Sequence, residues 1–381
     1  MARLPKIAIV HDYLNQRGGA ERVVAVMHKM FPDAPIYTTI VDYDNLWPEL
    51  KDADIRPTWM QRLPGIKKYF KKYLMLYPKA IETIKLDGYD IVISSSSAFA
   101  KGAKKGADAL HVCYCYTPMR FAWDYARYVE REGFGTVTRS ALPLLIKRLK
   151  AWDVATKDRP DYYVAISNAV KKRIEDFYGT DANVIFPPVD VSRFKISPRP
   201  QGYYLIVSRL NPYKKIELAV EAFNKLGLPL KIIGDGPYAG ELKRLAKPNI
   251  EFLGRFSDAD VAGYYSNCRA LVFPGEEDFG IAPLEANAAG RPVIAYKAGG
   301  ALDTVIAGTT GVFFNDATPE ALAGAVRRVE DGRDNFDPQK LRAHALKFDT
   351  PVFMKRLTSF IMDKYAALNS KGNKTAGHGR G

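Results

Sequence analysis

The sequence lacks any apolar run near the ~18 residues that a membrane-spanning helix needs, which argues against a transmembrane protein. It has only three cysteines, Cys113, Cys115 and Cys268, and this odd, sparse set argues against a disulfide framework. Cys113 and Cys115 lie in an apolar stretch, with no further ligands at zinc-binding spacing. We therefore interpret this pair as small buried residues of a strand.

Acidic residues are outnumbered, since 42 Asp and Glu stand against 56 Lys and Arg, for a net charge of +14. The excess is spread evenly over both halves of the chain, except in residues 60–86. That segment has seven basic residues and one acid. Such a local excess indicates an anionic partner, for which phospholipid headgroups, a pyrophosphate substrate and nucleic acid are candidates.

The length of 381 residues and the hydrophobic fraction of 47% suit about two globular domains. Residues 1–6 lead directly into an apolar strand without a signal peptide, so we expect a cytoplasmic protein. In each half, short continuous apolar segments alternate with helical patterns, which predicts an α/β fold with parallel sheets covered on both faces. A stretch rich in proline and basic residues, 186–202, separates the two halves.

We accordingly predict two doubly wound, Rossmann-like domains, residues 1–190 and 191–350, that face each other across a cleft. A helix over 351–369 could pack back on the first domain. The tail 370–381 has almost nothing apolar and is expected to be disordered.

An acidic loop and a helix follow a strand at residues 274–295. Glu277 lies in the loop, and Glu285 lies on the helix that follows the flexible Gly280. Backbone N–H groups at a helix start suit a phosphate or sugar oxygen, and carboxylates accept hydrogen bonds from the hydroxyls of a ribose or sugar. These residues predict a polyhydroxyl ligand, and solvated surface charges are the alternative.

Two cations, Arg209 and Lys214, follow the first strand of the second half. A departing nucleoside diphosphate gains charge in the transition state, so fixed positive groups beside it lower the barrier. We interpret the adjacent Lys215 as a surface charge.

The segment from Glu277 to Glu285 resembles the Glu-x7-Glu signature of the retaining family 4 glycosyltransferases, and Gly299-Gly300 follows it as in that family. Asn287 stands where the family commonly has Met, which affects helix packing more than chemistry. The resemblance covers about residues 6–330. It implies a GT-B fold and front-face transfer, with the donor nucleotide on the second domain and the acceptor on the first.

Within this family, the chain is similar to bacterial O-antigen and exopolysaccharide mannosyltransferases, which have comparable His-Asp-Tyr-Leu, Gly-Gly-Ala-Glu-Arg-Val and Thr-Pro-Met-Arg segments. The resemblance implies transfer of a hexose, mannose from GDP-mannose in our preferred reading. The acceptor would be a lipid-pyrophosphate-linked saccharide in cell-surface polysaccharide synthesis. A UDP-sugar donor and a sugar-nucleotide epimerase of similar architecture are the alternatives.

The resemblance assigns catalytic roles to Glu277, Arg209 and Lys214. The predicted donor-binding residues are Gly18, Gly19, Arg209, Lys214, Gly234, Gly254, Arg255, Glu277, Phe279, Gly280, Ile281 and Glu285. The predicted acceptor or sugar contacts are Ser97, Lys101, Tyr116, Arg120 and Trp123. Ser97 stands near a strand end where many relatives have a histidine, and His11 is as well explained by a structural role.

The cation pair makes a metal unnecessary for the departing diphosphate, so we predict metal-independent transfer without a cofactor. The Asp-x-Asp pairs in the chain are expected by chance among 42 acidic residues. The Gly18-Gly19 turn matches neither the dinucleotide fingerprint nor the phosphate loop of nucleoside triphosphatases, and a tight turn is its alternative reading.

In the basic segment, Ile66, Tyr69, Phe70, Tyr73 and Leu74 would form one apolar stripe on a helix, flanked by lysines. Interfacial helices have that layout, so we predict attachment of residues 60–86 to the anionic inner face of the plasma membrane. A helix that covers the first domain's sheet is the alternative. The glutamates of the predicted pocket and the absence of a recognition-helix motif argue against nucleic acid as a partner.

Overall fold

The computed structural model describes residues 4–124, 136–332 and 335–376, without the side chains of 136–142 and 371–376. The chain divides into two compact units, Met1–Phe186 with Phe353–Gly381, and Pro187–Val352. The first boundary between the units falls after residue 186. The sequence predicted this boundary after residue 190.

The first unit contains a seven-stranded sheet among the described residues, and all of its strand pairs are parallel. Its strands are β1 (Ile7–His11), β2 (Ile36–Thr38), β3 (Ile55–Pro57), β4 (Ile91–Ser96), β5 (Leu110–Cys115), β6 (Tyr162–Ala165) and β7 (Ala182–Val184). Its helices are α1 (Gly19–Met30), α2 (Ile66–Tyr69), α3 (Tyr77–Glu82), α4 (Arg120–Trp123), α5 (Thr136–Ala155) and α6 (Asn168–Tyr178). The spatial order is β3-β2-β1-β4-β5-β6-β7, so the direction of winding reverses between β1 and β4.

The second unit contains a six-stranded parallel sheet in the order β10-β9-β8-β11-β12-β13. Its strands are β8 (Tyr204–Val207), β9 (Leu230–Ile233), β10 (Ile250–Gly254), β11 (Leu271–Phe273), β12 (Val293–Tyr296) and β13 (Gly311–Phe314). Its helices are α7 (Ile216–Leu226), α8 (Ala239–Leu245), α9 (Asp258–Asn267), α10 (Ala282–Ala288), α11 (Ala301–Thr304), α12 (Pro319–Glu330) and α13 (Pro338–Ala345). The prediction of two Rossmann-like α/β domains is confirmed.

The core of each unit follows from strands that are buried on both faces. In the first unit β1, β4 and β5 are almost entirely buried, and in the second Ile206, Ile232 and Ile294 lie in one apolar cluster with Phe223 of α7. Parallel strands covered on both sides need such continuous apolar sequences. The three cysteines are buried and unpaired by disulfides.

The last helix, α14 (Thr350–Ala376), belongs to the first unit from Phe353 onward. Phe353 packs edge-on against Tyr114 at 5.6 Å, and Phe360 packs against Tyr162 at 6.1 Å. The helix continues through residues 370–376, which the sequence predicted to be disordered, because an established helix adds one hydrogen bond for each further residue. Residues 377–381 lie outside the described part of the chain.

The basic segment does not form the single amphipathic helix that its periodicity predicts. α2 is one turn long, and a 3-10 stretch with non-helical angles at Tyr73 follows it. Ile66 is buried, and Phe70, Tyr73 and Leu74 pack against the core of the first unit, whereas Tyr69 is 43% exposed. The predicted apolar membrane stripe is therefore wrong, because most of it is already covered by the sheet.

No helix in residues 4–124, 136–332 and 335–376 combines the length and the apolar character required to cross a bilayer.

Candidate functional site

The winding of the second sheet reverses between β8 and β11, and ligands of such sheets bind beyond the carboxyl ends of the strands at this point. β8 ends at Val207 and leads to Arg209 and Lys214. β11 ends at Phe273 and leads to Glu277. The fold thus brings the predicted cations and the first predicted glutamate to one edge of one sheet.

Lys214 and Glu277 form an ion pair between the ammonium Nζ and the carboxylate Oε1. The two side chains are 13% and 23% exposed, so solvent screens this pair less than a surface pair. The Lys214 ammonium carries three hydrogens and can contact more than one acceptor. The pair can therefore hold a phosphate oxygen and a sugar hydroxyl side by side.

Glycines at the start of α11 set the position of Glu277. The Gly300 N–H donates to the Glu277 carbonyl oxygen at 2.8 Å. A Cβ at Gly299 would lie 2.3 Å from the same oxygen, and its φ of +56° also favours glycine. This close approach explains why Gly299-Gly300 accompanies the glutamates in the sequence.

Glu285 lies on α10 and is half-buried. Its carboxylate Oε2 accepts a hydrogen bond of 2.9 Å from the hydroxyl of Tyr265 on α9. Phe279 is only 3% exposed and packs against Phe348 at 6.2 Å, so its ring belongs to the interior of the second unit, and its contact with a donor stays a prediction. Sequence reasoning found Glu285 but missed Tyr265, whose role depends on a contact between two helices.

The glycine turns after β9 and β10 lie at the same edge of the sheet. The Gly234 N–H donates to the Gly254 carbonyl oxygen at 2.7 Å, and a Cβ at Gly234 would lie 1.8 Å from the carbonyl oxygen of Ser208. Arg255 is exposed, with its Nε 3.6 Å from Asp235 Oδ2. Contacts of these turns with a donor, and those of Gly280 and Ile281, stay predictions.

A buried carboxylate organises the loop after β4 in the first unit. Asp12 follows β1, is 2% exposed and accepts four backbone hydrogen bonds of 2.6–3.0 Å. The donors are the N–H groups of residues 97–100, so Asp12 fixes the backbone of Ser97. His11 contacts Ser95 through Nδ1, with 3.0 Å to both the carbonyl oxygen and Oγ. Sequence reasoning missed Asp12, since only the folded sheet brings β1 beside β4.

Two predicted acceptor contacts make hydrogen bonds inside the first unit, where Lys101 is buried and Trp123 is half-buried. Lys101 is 2% exposed, with Nζ 3.2 Å from Asp153 Oδ1 and 2.8 Å from Thr156 Oγ1. Trp123 donates from Nε1 to Asp153 Oδ2 at 2.7 Å, and its ring stacks on Phe177 at 4.2 Å. We correct the assignment of Lys101, because its ammonium lies in a buried network rather than towards a ligand, whereas a contact of the half-buried Trp123 ring with a sugar stays a prediction.

The other residues of the first unit that were predicted to contact a ligand lie at the ends of strands or at the starts of helices. Tyr116 is 8% exposed and donates from its hydroxyl to the Ala20 carbonyl oxygen at 3.0 Å. Burial raises the pKa of the Tyr116 hydroxyl well above its ordinary value, so it remains a donor. Gly18 precedes α1 and Gly19 begins it. Ligand contacts of these residues, of Ser97 and of Arg120 stay predictions.

Within residues 4–124, 136–332 and 335–376, no cluster of three or more His, Cys, Asp or Glu side chains could hold a metal ion. Transfer without a metal or cofactor stays a prediction.

Two family models match consecutive parts of the chain. One is described as Glycosyltransferase Family 4 and matches residues 17–193, and the other is described as Glycosyl transferases group 1 and matches residues 190–347.

Relatives with known names match the chain over part of its length. A D-rhamnosyltransferase of Pseudomonas aeruginosa is 29% identical over 49% of this chain and 52% of its own length. A GDP-mannose-dependent alpha-mannosyltransferase of Mycolicibacterium smegmatis is 31% identical over 55% of this chain and 57% of its own. The chain spans about half the length of the first curated relatives that it matches.

Among solved structures, the Anabaena protein HepE in complex with UDP superposes with a TM-score of 0.72 at 17% identity. The superposition covers 94% of this chain and 100% of HepE. At this identity the likeness concerns the fold, in which each unit is a Rossmann-like domain.

Proposed function

Since this chain belongs to family 4 of the glycosyltransferases, we propose that it transfers a hexose from a nucleoside-diphosphate sugar to a saccharide acceptor with retention of configuration. The observation that carries the proposal is the Lys214–Glu277 ion pair at the switch point of the second sheet, on the segment after β8 that also contains Arg209. Donor nucleotide binds this unit, and the acceptor binds the first unit.

The proposed chemistry uses the two charges of the pair for different parts of the donor. Negative charge develops on the diphosphate as the bond to the sugar breaks, and Lys214 and Arg209 stabilise that charge. Glu277 accepts a hydrogen bond from a hydroxyl of the transferred sugar and holds the Lys214 ammonium in place. The acceptor hydroxyl oxygen then bonds to the anomeric carbon on the face that the diphosphate leaves, and the hydroxyl proton passes to the departing phosphate oxygen.

GDP-mannose is the donor that we propose. The name of the Mycolicibacterium smegmatis relative supports it, while the UDP bound to HepE makes a UDP-sugar the competing donor. A thermal-shift screen with GDP, UDP and ADP at equal concentration tests this choice. Stabilisation by GDP above UDP and ADP supports GDP-mannose, stabilisation by UDP alone replaces it with a UDP-sugar, and no stabilisation by any of them refutes the donor site.

Transfer itself requires a product assay with and without a saccharide acceptor. Mannose in a new glycosidic bond supports a transferase. A changed sugar that remains on the nucleotide without acceptor would contradict the proposal.

We further propose a lipid-pyrophosphate-linked acceptor and attachment to the anionic inner face of the plasma membrane, in cell-surface polysaccharide synthesis. The basic segment supports attachment by charge, because Lys68, Lys71 and Lys72 are exposed beside the exposed Tyr69. Electrostatic attachment weakens as salt screens the charges.

Sedimentation with vesicles of phosphatidylglycerol and phosphatidylcholine tests the attachment. Replacing Lys68, Lys71 and Lys72 with Glu should abolish binding. A control with equal charge change replaces three exposed lysines elsewhere in the first unit. These are Lys29, Lys51 and Lys172. Equal losses in both variants would refute a specific role for the basic segment.

A further inference from the structure

The carboxylate of Glu285 is held by a side chain from a neighbouring helix. Tyr265 on α9 donates from its hydroxyl to Glu285 Oε2 over 2.9 Å. Strand β11 and the loop that contains Glu277 lie between α9 and α10 in the chain, so this bond links the helices that precede and follow that loop. The bond therefore ties Glu285 to the framework of the proposed donor site.

The position of the Tyr265 ring is itself fixed by packing. The ring has no solvent exposure and packs edge-on against Phe194 with 5.6 Å between centroids. The Cys268 thiol donates to the Tyr265 carbonyl oxygen at 3.3 Å at the end of the same helix. A ring held in this way has one place for its hydroxyl, and that place is beside Glu285.

The chemistry of the pair settles the direction of the hydrogen bond. Burial, and then the nearby Glu285 carboxylate, raise the pKa of the Tyr265 hydroxyl well above its ordinary value. The phenol therefore stays protonated at all ordinary pH values. It donates to the carboxylate, because an ionised carboxylate has no hydrogen to donate. One Glu285 oxygen is thereby held in place by the protein.

We propose that Tyr265 is a positioning residue that aligns the Glu285 carboxylate for the ribose diol of the donor's nucleoside diphosphate. This inference rests on the proposed function and on the sequence prediction that Glu285 binds the donor. A glutamate side chain has several rotatable bonds, and ordering it on binding weakens affinity. Alignment before binding removes that cost, so loss of the Tyr265 hydroxyl should weaken nucleotide binding roughly 3- to 10-fold.

Isothermal titration with GDP, 2′-deoxy-GDP and 3′-deoxy-GDP tests the inference on the full chain. Wild type should bind GDP more tightly than at least one deoxy analogue. Tyr265→Phe should weaken GDP about 3- to 10-fold while it leaves that analogue unchanged, because only the ribose contact is affected. Tyr264→Phe is the matched control, since it removes a hydroxyl at the next position of the same helix and should change neither affinity.

A second comparison separates positioning from general damage to the fold. In a Glu285→Ala background, Tyr265→Phe should have no further effect on GDP affinity, because the carboxylate that it aligns is gone. An equal loss for GDP and both deoxy analogues, or an equal loss in the Glu285→Ala background, would overturn the inference.

The test also distinguishes failure of the inference from failure of the proposed function. If wild type binds GDP, or UDP in the parallel series, and Tyr265→Phe binds it equally well, only the positioning role is refuted. If wild type binds neither nucleotide, the proposed function fails and the inference fails with it.

Discussion

Replacing Lys101 with methionine should destabilise the first unit strongly, because it leaves the Asp153 carboxylate buried without its cation. The two side chains are 2% and 0% exposed. Removing one partner of a buried ion pair costs about 3–5 kcal/mol. Two donors remain to the carboxylate, Trp123 Nε1 at 2.7 Å and the Tyr178 hydroxyl at 2.9 Å. We therefore expect the lower end of that range, about 3 kcal/mol.

Tryptophan fluorescence during urea unfolding measures this change in the correct unit. All four tryptophans lie in the first unit, at Trp47, Trp59, Trp123 and Trp152. Lys104→Met is the matched control, because Lys104 Nζ is 3.7 Å from Glu82 Oε2 with 58% of the lysine side chain exposed. Such a surface pair contributes under about 1 kcal/mol.

A loss of less than about 1 kcal/mol in Lys101→Met would refute the reasoning.

Three further outcomes are expected. Glu277→Gln should lower kcat/KM for transfer by roughly 100-fold or more with little change in thermal unfolding, and a fully active variant would remove Glu277 from the site. Gly234→Ala should destabilise the second unit by roughly 2–5 kcal/mol, because the new Cβ would lie 1.8 Å from the Ser208 carbonyl oxygen at a φ of +133°. Gly240→Ala, with no atom within 4 Å of the new Cβ, is its control. Calorimetry measures both glycine variants, and equal unfolding temperatures would contradict the expectation. Burial lowers the pKa of His111 from 6.5 to about 4, so the unfolded chain binds a proton between these values that the folded chain does not. Stability should therefore be lost as the pH falls from about 6.5 towards 4. His111→Gln should flatten this dependence in fluorescence-monitored urea unfolding, and an unchanged slope would contradict it.

The sequence predicts the long, buried strands of both sheets better than the short ones. β1 and β8 are continuous apolar segments beside clear helical patterns, and this pattern follows from burial on both faces. β2 and β3 have three residues each, and residues 55–57 of β3 are partly exposed. Segments of that length give too few positions for periodicity to identify a strand.

The donor-site residues could be predicted because they lie in short, local segments. Glu277 and Glu285 belong to one loop and the helix that follows it. Arg209 and Lys214 belong to one short segment after β8. The family resemblance then supplied roles that spacing alone leaves open. What the sequence could not supply was the partner of each side chain.

Contacts between residues far apart in the chain account for the wrong and missed predictions. Lys101 donates a hydrogen bond to the backbone of Asp153, which is 52 residues away in the sequence. Asp12 accepts one from Ser97, which is 85 residues away. A lysine in a buried ion pair and a lysine at a ligand look alike in a sequence, because both follow a strand. Similarly, an apolar stripe has the same spacing whether it covers a sheet or enters a membrane, which is why residues 66–74 were misread.

A crystal structure of the protein with bound GDP tests the central claim most directly. We expect diphosphate oxygens within hydrogen-bonding distance of Arg209 and Lys214, with the ribose hydroxyls at Glu285. GDP bound away from these three side chains would contradict it.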